Sequence, residues 1–146
     1  MRCGGCALRL STTTPDALHC GTCLAHPLPF TRCLCAVDYQ PPWDRLIVAF
    51  KYHGALDLVP ALAERLGDAL AAEDREAFAP GVDLVLPMPL SAPRLAERGY
   101  NQAWELARRV ARRFGLPARA DVLIRPLDRA PQAGLDRAAR RRNLQG

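Results

Sequence analysis

Residues 84–104 read Leu-Val-Leu-Pro-Met-Pro-Leu-Ser-Ala-Pro-Arg-Leu-Ala-Glu-Arg-Gly-Tyr-Asn-Gln-Ala-Trp, and their reading decides the fold. Val82, Leu84, Val85 and Leu86 make an apolar run of the length of a buried strand. Pro87 and Pro89 end it, because neither can donate to a sheet ladder. Beyond them Ser91, Arg94, Arg98, Asn101 and Gln102 gather ahead of a helix expected over 101–114. That helix carries Ala103, Leu106, Ala107, Val110, Ala111 and Phe114 on one stripe, and Gly115 and Pro117 stop it. In α/β proteins ligands sit at the carboxyl ends of strands, where helix N-termini offer N–H groups to anions. Two arginines at such a place point to a phosphate or pyrophosphate partner. The plainer alternative is a surface turn rich in arginine.

Working outward, Asp44 is placed to N-cap a helix that runs through Val48 and Phe50 to a Gly54 C-cap. A second helix is expected over 57–72, with Pro60 in its first turn and Leu58, Ala61, Leu62, Leu66, Ala69 and Leu70 at helical spacing. Short strands are expected at Cys33–Tyr39 and Val122–Ile124. The tail from Arg125 reads as a helix over 134–142, a basic arm or an unfinished element.

The 146 residues suffice for one ordinary domain, or a small module with most of another. An apolar content of 49% with 24% charged residues is that of a globular chain. No apolar run approaches the ~20 residues that span a bilayer, and the N-terminus lacks an apolar export core. A cytoplasmic protein with no membrane insertion is the expectation.

Charge is unevenly placed. Residues 1–89 hold 7 Lys/Arg against 10 Asp/Glu, whereas residues 90–146 hold 13 against 5. The second half therefore suits an anionic partner, a phosphorylated metabolite or nucleic acid. The alternative is compositional: nearly all the basic residues are arginine, as a GC-rich genome produces.

The six cysteines begin as Cys3-x2-Cys6-x13-Cys20-x2-Cys23. Two such knuckles can present four thiolates tetrahedrally to Zn²⁺. A disulfide pair is the alternative, without an export signal to support it. The segment between the knuckles is too polar to build a core, so the metal would supply the stability. Cys33 and Cys35 lack a second pair to complete another site and read as buried or half-buried free thiols. His19, beside Cys20, could replace a ligand, although a lone histidine near a knuckle is more often a bystander.

Pro87-Met88-Pro89-Leu90-Ser91, Arg94 and Arg98-Gly99-Tyr100-Asn101-Gln102-Ala103 resemble the ComF family of phosphoribosyltransferase-like proteins linked to natural competence. Upstream, Lys51-Tyr52-His53-Gly54 is similar to the family's Lys-Tyr-x-Gly segment. Downstream, Arg125, Gln132, Leu135 and Arg140-Arg141-Arg142-Asn143 are similar to its tail. The resemblance implies an α/β fold, a type I phosphoribosyltransferase-like domain behind a small zinc ribbon. The ribbon would cover residues 1–26, a connector 27–43, and the partial transferase-like domain 44–146.

In that scheme phosphoribosyl pyrophosphate or pyrophosphate is the ligand, with Mg²⁺. Arg94 and Arg98 would neutralise it, with Ser91 in the same loop, and Asn101 and Gln102 would orient it. Single-stranded DNA and competence proteins are the implied partners. Type I enzymes hold the donor ribose with two adjacent acids and a Thr-Thr-Gly-like loop, and this chain shows neither after Arg142 and Asn143. The expectation is therefore a fragment of a longer frame, inactive as a transferase by itself. The competing reading is a binding module in which a zinc ribbon and a basic face handle single-stranded nucleic acid, with Trp43, Tyr52, Tyr100 or Trp104 as stacking surfaces.

Overall fold

A computed structural model describes residues 1–10, 19–72 and 81–127, and the chain divides into two compact units, Met1–Asp83 and Leu84–Gly146. The expected tail helix over 134–142 lies outside the described residues.

The first unit opens on a tight hairpin. Arg2 and Arg9 pair as an isolated antiparallel bridge. Inside them Cys3 N–H donates to Leu8 O and Ala7 N–H to Cys3 O, both at 2.8 Å. Ala7 takes a left-handed backbone at φ 60°, which turns the chain sharply just past Cys6. Across the hairpin's mouth lies Asp38. Its carboxylate receives Arg2 Nη2, Arg9 Nη2 and, at 3.1 Å, Arg9 Nε. Cys33 N–H reaches Gly4 O at 3.4 Å.

The segment expected as a Cys33–Tyr39 strand is thus held by one backbone bond and an ion-pair clasp. It runs through bends instead of forming a ladder. A strand requires a neighbour along its length, and the hairpin offers it only these points.

Helix α1 is a single turn, Gly21–Ala25, and carries Cys23. Helix α2 spans Trp43–Tyr52 and buries Phe50. Asp44 does not cap it as expected. Backbone bonds from Asp44 N to Gln40 O and Leu46 N to Pro42 O start the turn earlier, and Pro42 takes the cap position. Asp44 instead lies in the first turn, where its charge suits the helix dipole. The other end agrees with the sequence: His53 closes the helix and Gly54 follows at φ 65°.

The expected 57–72 helix is divided into a 3₁₀ turn, Leu56–Leu58, and helix α3, Val59–Ala71. Pro60 sits in the first turn of α3, where its missing N–H costs nothing. Val59, Ala63 and Gly67, four residues apart, form the buried face. Arg65 lies over the Trp43 ring at 5.9 Å and joins α3 to α2.

In the second unit helix α4 spans Ala92–Arg98 and helix α5 spans Gln102–Phe114. Ala107, Val110 and Ala111 form the buried stripe of α5, as its periodicity requires. Gly115, at φ 67°, ends it, with Leu116 N–H reaching back to Ala111 O at 2.9 Å. Leu84–Leu86 runs extended but pairs only at Val85, a parallel bridge to Ala118. Val85 N–H donates to Pro117 O at 2.9 Å and Arg119 N–H to Val85 O at 3.1 Å.

The expected strand at Val122–Ile124 is a bend with exposed side chains, Ile124 at 78%. The described residues are therefore helical with isolated bridges and contain no β-strand. The α/β fold and the transferase-like sheet expected from sequence are not established by them. A parallel sheet requires several apolar strands side by side, and here one extended segment meets one short partner.

Candidate metal centre and anion loop

Two features of the chain are candidates for chemistry: a four-cysteine cluster in the first unit and the 87–104 loop in the second. Cys3 and Cys6 lie on the hairpin, Cys20 at the entry to α1 and Cys23 within it. Their sulfur atoms all lie within 4.8 Å of one another. Cys6 and Cys20 sulfurs are 3.7 Å apart. With Zn–S bonds of ~2.3 Å a tetrahedron has edges of about 3.8 Å, so this spacing suits a tetrahedral metal.

Cys20 N–H points at Cys3 Sγ at 3.2 Å, an orienting bond of the kind that supports metal thiolates. Gly5 packs closely against this cluster. A methyl group there would lie 3.2 Å from Cys23 Sγ and 3.4 Å from the His19 ring.

The thiols differ in their electrostatics. Backbone N–H groups of Cys6 and Cys20 draw the Cys3 thiol down to about 6. Burial, followed by the neighbouring sulfurs, pushes Cys23 up to about 12. Four thiolates at this spacing repel one another, and a divalent cation removes that cost. The donor set thus fits a metal such as zinc.

Among the described residues no other group of three or more His, Cys, Asp or Glu comes together this way. Cys33 is half-buried as expected, whereas Cys35, expected to be buried or half-buried, is exposed with its thiol donating to Val37 O at 2.9 Å; neither belongs to the cluster.

In the loop, Asn101 does most of the positioning. Its Oδ1 accepts from Ala103 N at 2.9 Å and Trp104 N at 3.3 Å, capping α5. Its Nδ2 donates to Met88 O at 3.1 Å, tying the start of the loop to its end. Gly99, at φ 74°, closes α4 and lets the chain turn into α5.

Arg94 and Arg98 stand one turn apart on α4, both half-buried. Arg98 Nη1 donates to Gln102 Oε1 at 3.2 Å, and Gln102 itself is buried. Ser91 is buried at the head of α4, where its carbonyl accepts from Leu95 N at 2.9 Å. The five residues expected to share a site therefore lie on one α4–α5 junction. Asn101 and Gln102 serve that junction's own geometry.

Beside the junction opens a cleft of about 580 Å³, lined by Leu90, Leu95, Tyr100, Trp104, Glu105, Leu123, Ile124 and Arg125 among others. Neither Arg94 nor Arg98 lines it. Tyr100 and Trp104 are two of the aromatics proposed from sequence for stacking, and the cleft brings them together. Trp43 is instead engaged by Arg65. Glu105 escaped the sequence reading, since an acid in the first turn of a helix is ordinary; only its neighbours Trp104 and Tyr100 hinted at a lined cleft. Arg109, read from sequence as solvated, is half-buried with its Nε buried and unpaired, whereas Arg112 and Arg113 are exposed. No helix among the described residues is long and apolar enough to cross a membrane.

No family profile matches the chain, and no solved structure matches it at a significant level. Curated proteins do. DNA utilization protein YhgH of Salmonella typhi is 30% identical over 128 residues, 88% of this chain and 56% of that protein. Competence protein F of Haemophilus influenzae is 30% identical over 142 residues, 97% of this chain and 61% of that protein. DNA utilization protein YhgH of Escherichia coli O157:H7 matches to the same extent as the latter. The chain spans under two thirds of the length of these relatives. Across most of its own length it is homologous to proteins named Competence protein F and DNA utilization protein, the relationship that its ComF-family resemblance implies.

Proposed function

We propose that this chain serves DNA uptake or utilization as a metal-ribbon module joined to an anion-binding loop of the phosphoribosyltransferase type. The observation that carries the reading is the Asn101 tie. By bonding Met88 O and capping α5 together, it fixes both ends of the loop that bears Arg94 and Arg98. Guanidinium groups held on a fixed frame bind phosphoryl oxygens with little ordering cost, and their charge-assisted bonds are comparatively strong.

The names of the relatives support the biological setting. Zinc on Cys3, Cys6, Cys20 and Cys23 would supply the first unit's local stability. Transfer of a phosphoribosyl group is the finer form of this proposal: the arginines would stabilise departing pyrophosphate, where the largest catalytic benefit of such a site lies.

A second reading is favoured by the cleft. Tyr100 and Trp104 beside a basic unit suit the bases of a single strand, with the arginines following its phosphates. The two separate by titration at several salt concentrations. Saturable binding of phosphoribosyl pyrophosphate or pyrophosphate, with single-stranded oligonucleotide bound only weakly, supports the first. Oligonucleotide binding that falls steeply with salt, without saturation by the small anion, replaces it with the second.

A further inference from the structure

The hairpin that carries Cys3 and Cys6 is closed at its base by residues outside the cysteine cluster. Arg2 and Arg9 form its bridge pair, so two like charges stand directly opposite each other. By themselves they would push the hairpin open. Asp38 removes that repulsion by taking both guanidinium groups on one carboxylate. Arg2 has a second contact. Its Nη1 donates to Ala7 O at 3.0 Å while its Nη2 holds Asp38. Ala7 is the left-handed residue that follows Cys6 directly. A run of contacts thus leads from Asp38 through Arg2 to the turn that sets Cys6. The bond from Cys33 N–H to Gly4 O, at 3.4 Å, ties the same 33–38 segment to the peptide between Cys3 and Cys6.

We propose that Asp38 is a positioning residue of the metal centre: through Arg2 it holds the Cys3–Cys6 knuckle in the shape the ion requires, without touching the ion. The proposal rests on the reading of the four cysteines as a metal site. Charge alone gives the opposite sign. A divalent ion with four thiolates is a dianion, so a nearby carboxylate opposes it, and removing that carboxylate should tighten the metal. Positioning predicts weaker binding, because outer partners that orient the ligands are worth about tenfold or more in metal affinity. The sign of the change therefore separates position from charge.

The test uses the full chain, with Co²⁺ as a visible substitute for zinc and chelator competition as the measure of affinity. Asp38→Asn, which keeps the shape and removes the charge, should hold the ion about tenfold more weakly than the parent. Arg2→Lys should lose as much, since an ammonium group lacks the fork that spans Ala7 O and Asp38 together. The double variant should lose little more than either alone. Asp38→Glu should recover most of the parent's affinity. The ligand-field bands of Co²⁺, which report the angles between its ligands, should shift in Asp38→Asn and Arg2→Lys while the thiolate charge-transfer band remains. Val59→Ala opens a cavity at a buried position of α3 in the same unit, and should lower stability with affinity and bands unchanged. Affinity in Asp38→Asn equal to or tighter than the parent's overturns the proposal. So does an equal loss in Val59→Ala, which would make the effect one of stability alone, or full additivity in the double variant. A parent that takes up no ion removes the metal centre itself, and the proposal with it.

Discussion

Asn101 donates from Nδ2 to the carbonyl of Met88 at 3.1 Å, and this single bond spans the loop between the extended Leu84–Leu86 segment and α5. The same side chain caps α5 through its oxygen. Both ends of the loop are therefore fixed by one residue, which makes loop geometry and helix stability separable by mutation.

Asn101→Asp keeps the capping oxygen and removes the donor to Met88. Asn101→Ala removes both. The alanine variant is expected to lose about 1 kcal/mol of stability and the aspartate variant less. Both should weaken anion binding, because both release the loop. Denaturant unfolding and pyrophosphate titration of the two variants check this; anion affinity unchanged in Asn101→Asp would show that the Met88 bond positions nothing.

Purified protein is expected to carry close to one zinc per chain, lost in Cys6→Ser and in Cys20→Ser. Gly5→Ala tests the packing beneath the site. Its methyl group would crowd Cys23 Sγ at 3.2 Å, so zinc should be held more weakly while all four ligands remain. Metal analysis with a competing chelator reads both effects. Full zinc retention by either serine variant would remove the site.

The Asp38 clasp is expected to matter at neutral pH. Arg9 first, and then Arg2, hold its carboxyl down at about 2. A depressed carboxylate stabilises the fold above its ordinary value, near 4, and that contribution fades as pH falls toward 2. Asp38→Asn should unfold at lower denaturant concentration than the parent at pH 7, and the two should converge on acidification through this window. Equal stability at pH 7 would make the clasp a surface contact of no consequence.

Much of this was legible in the sequence where a local rule sufficed. The apolar stripe of α5, its Gly115 stop and the paired knuckles depend on spacing alone, and the structure has them. The strands were not legible in the same way. Val122–Ile124 is apolar enough for a strand, but a strand exists only with neighbours, and periodicity says nothing about whether these are present. Asp44 failed as a cap for a related reason: bonds from Gln40 and Pro42 carbonyls began the turn earlier than its side chain could. Glu105 was missed because the cleft it lines is completed by Leu123 and Ile124, residues that no local pattern around α5 connects to it.

In the proposed function Arg94 and Arg98 hold a phosphoryl anion on a frame fixed by Asn101. Calorimetric titration of pyrophosphate into the parent, Arg98→Ala and Arg112→Ala tests it most directly, because Arg112 is an exposed arginine of α5 with the same charge. Arg98→Ala should weaken binding at least about tenfold, as loss of a charge-assisted contact does. Arg112→Ala should bind as the parent does. Equal losses from the two variants would mean that only the unit's bulk charge attracts the anion, and the loop would not be its site.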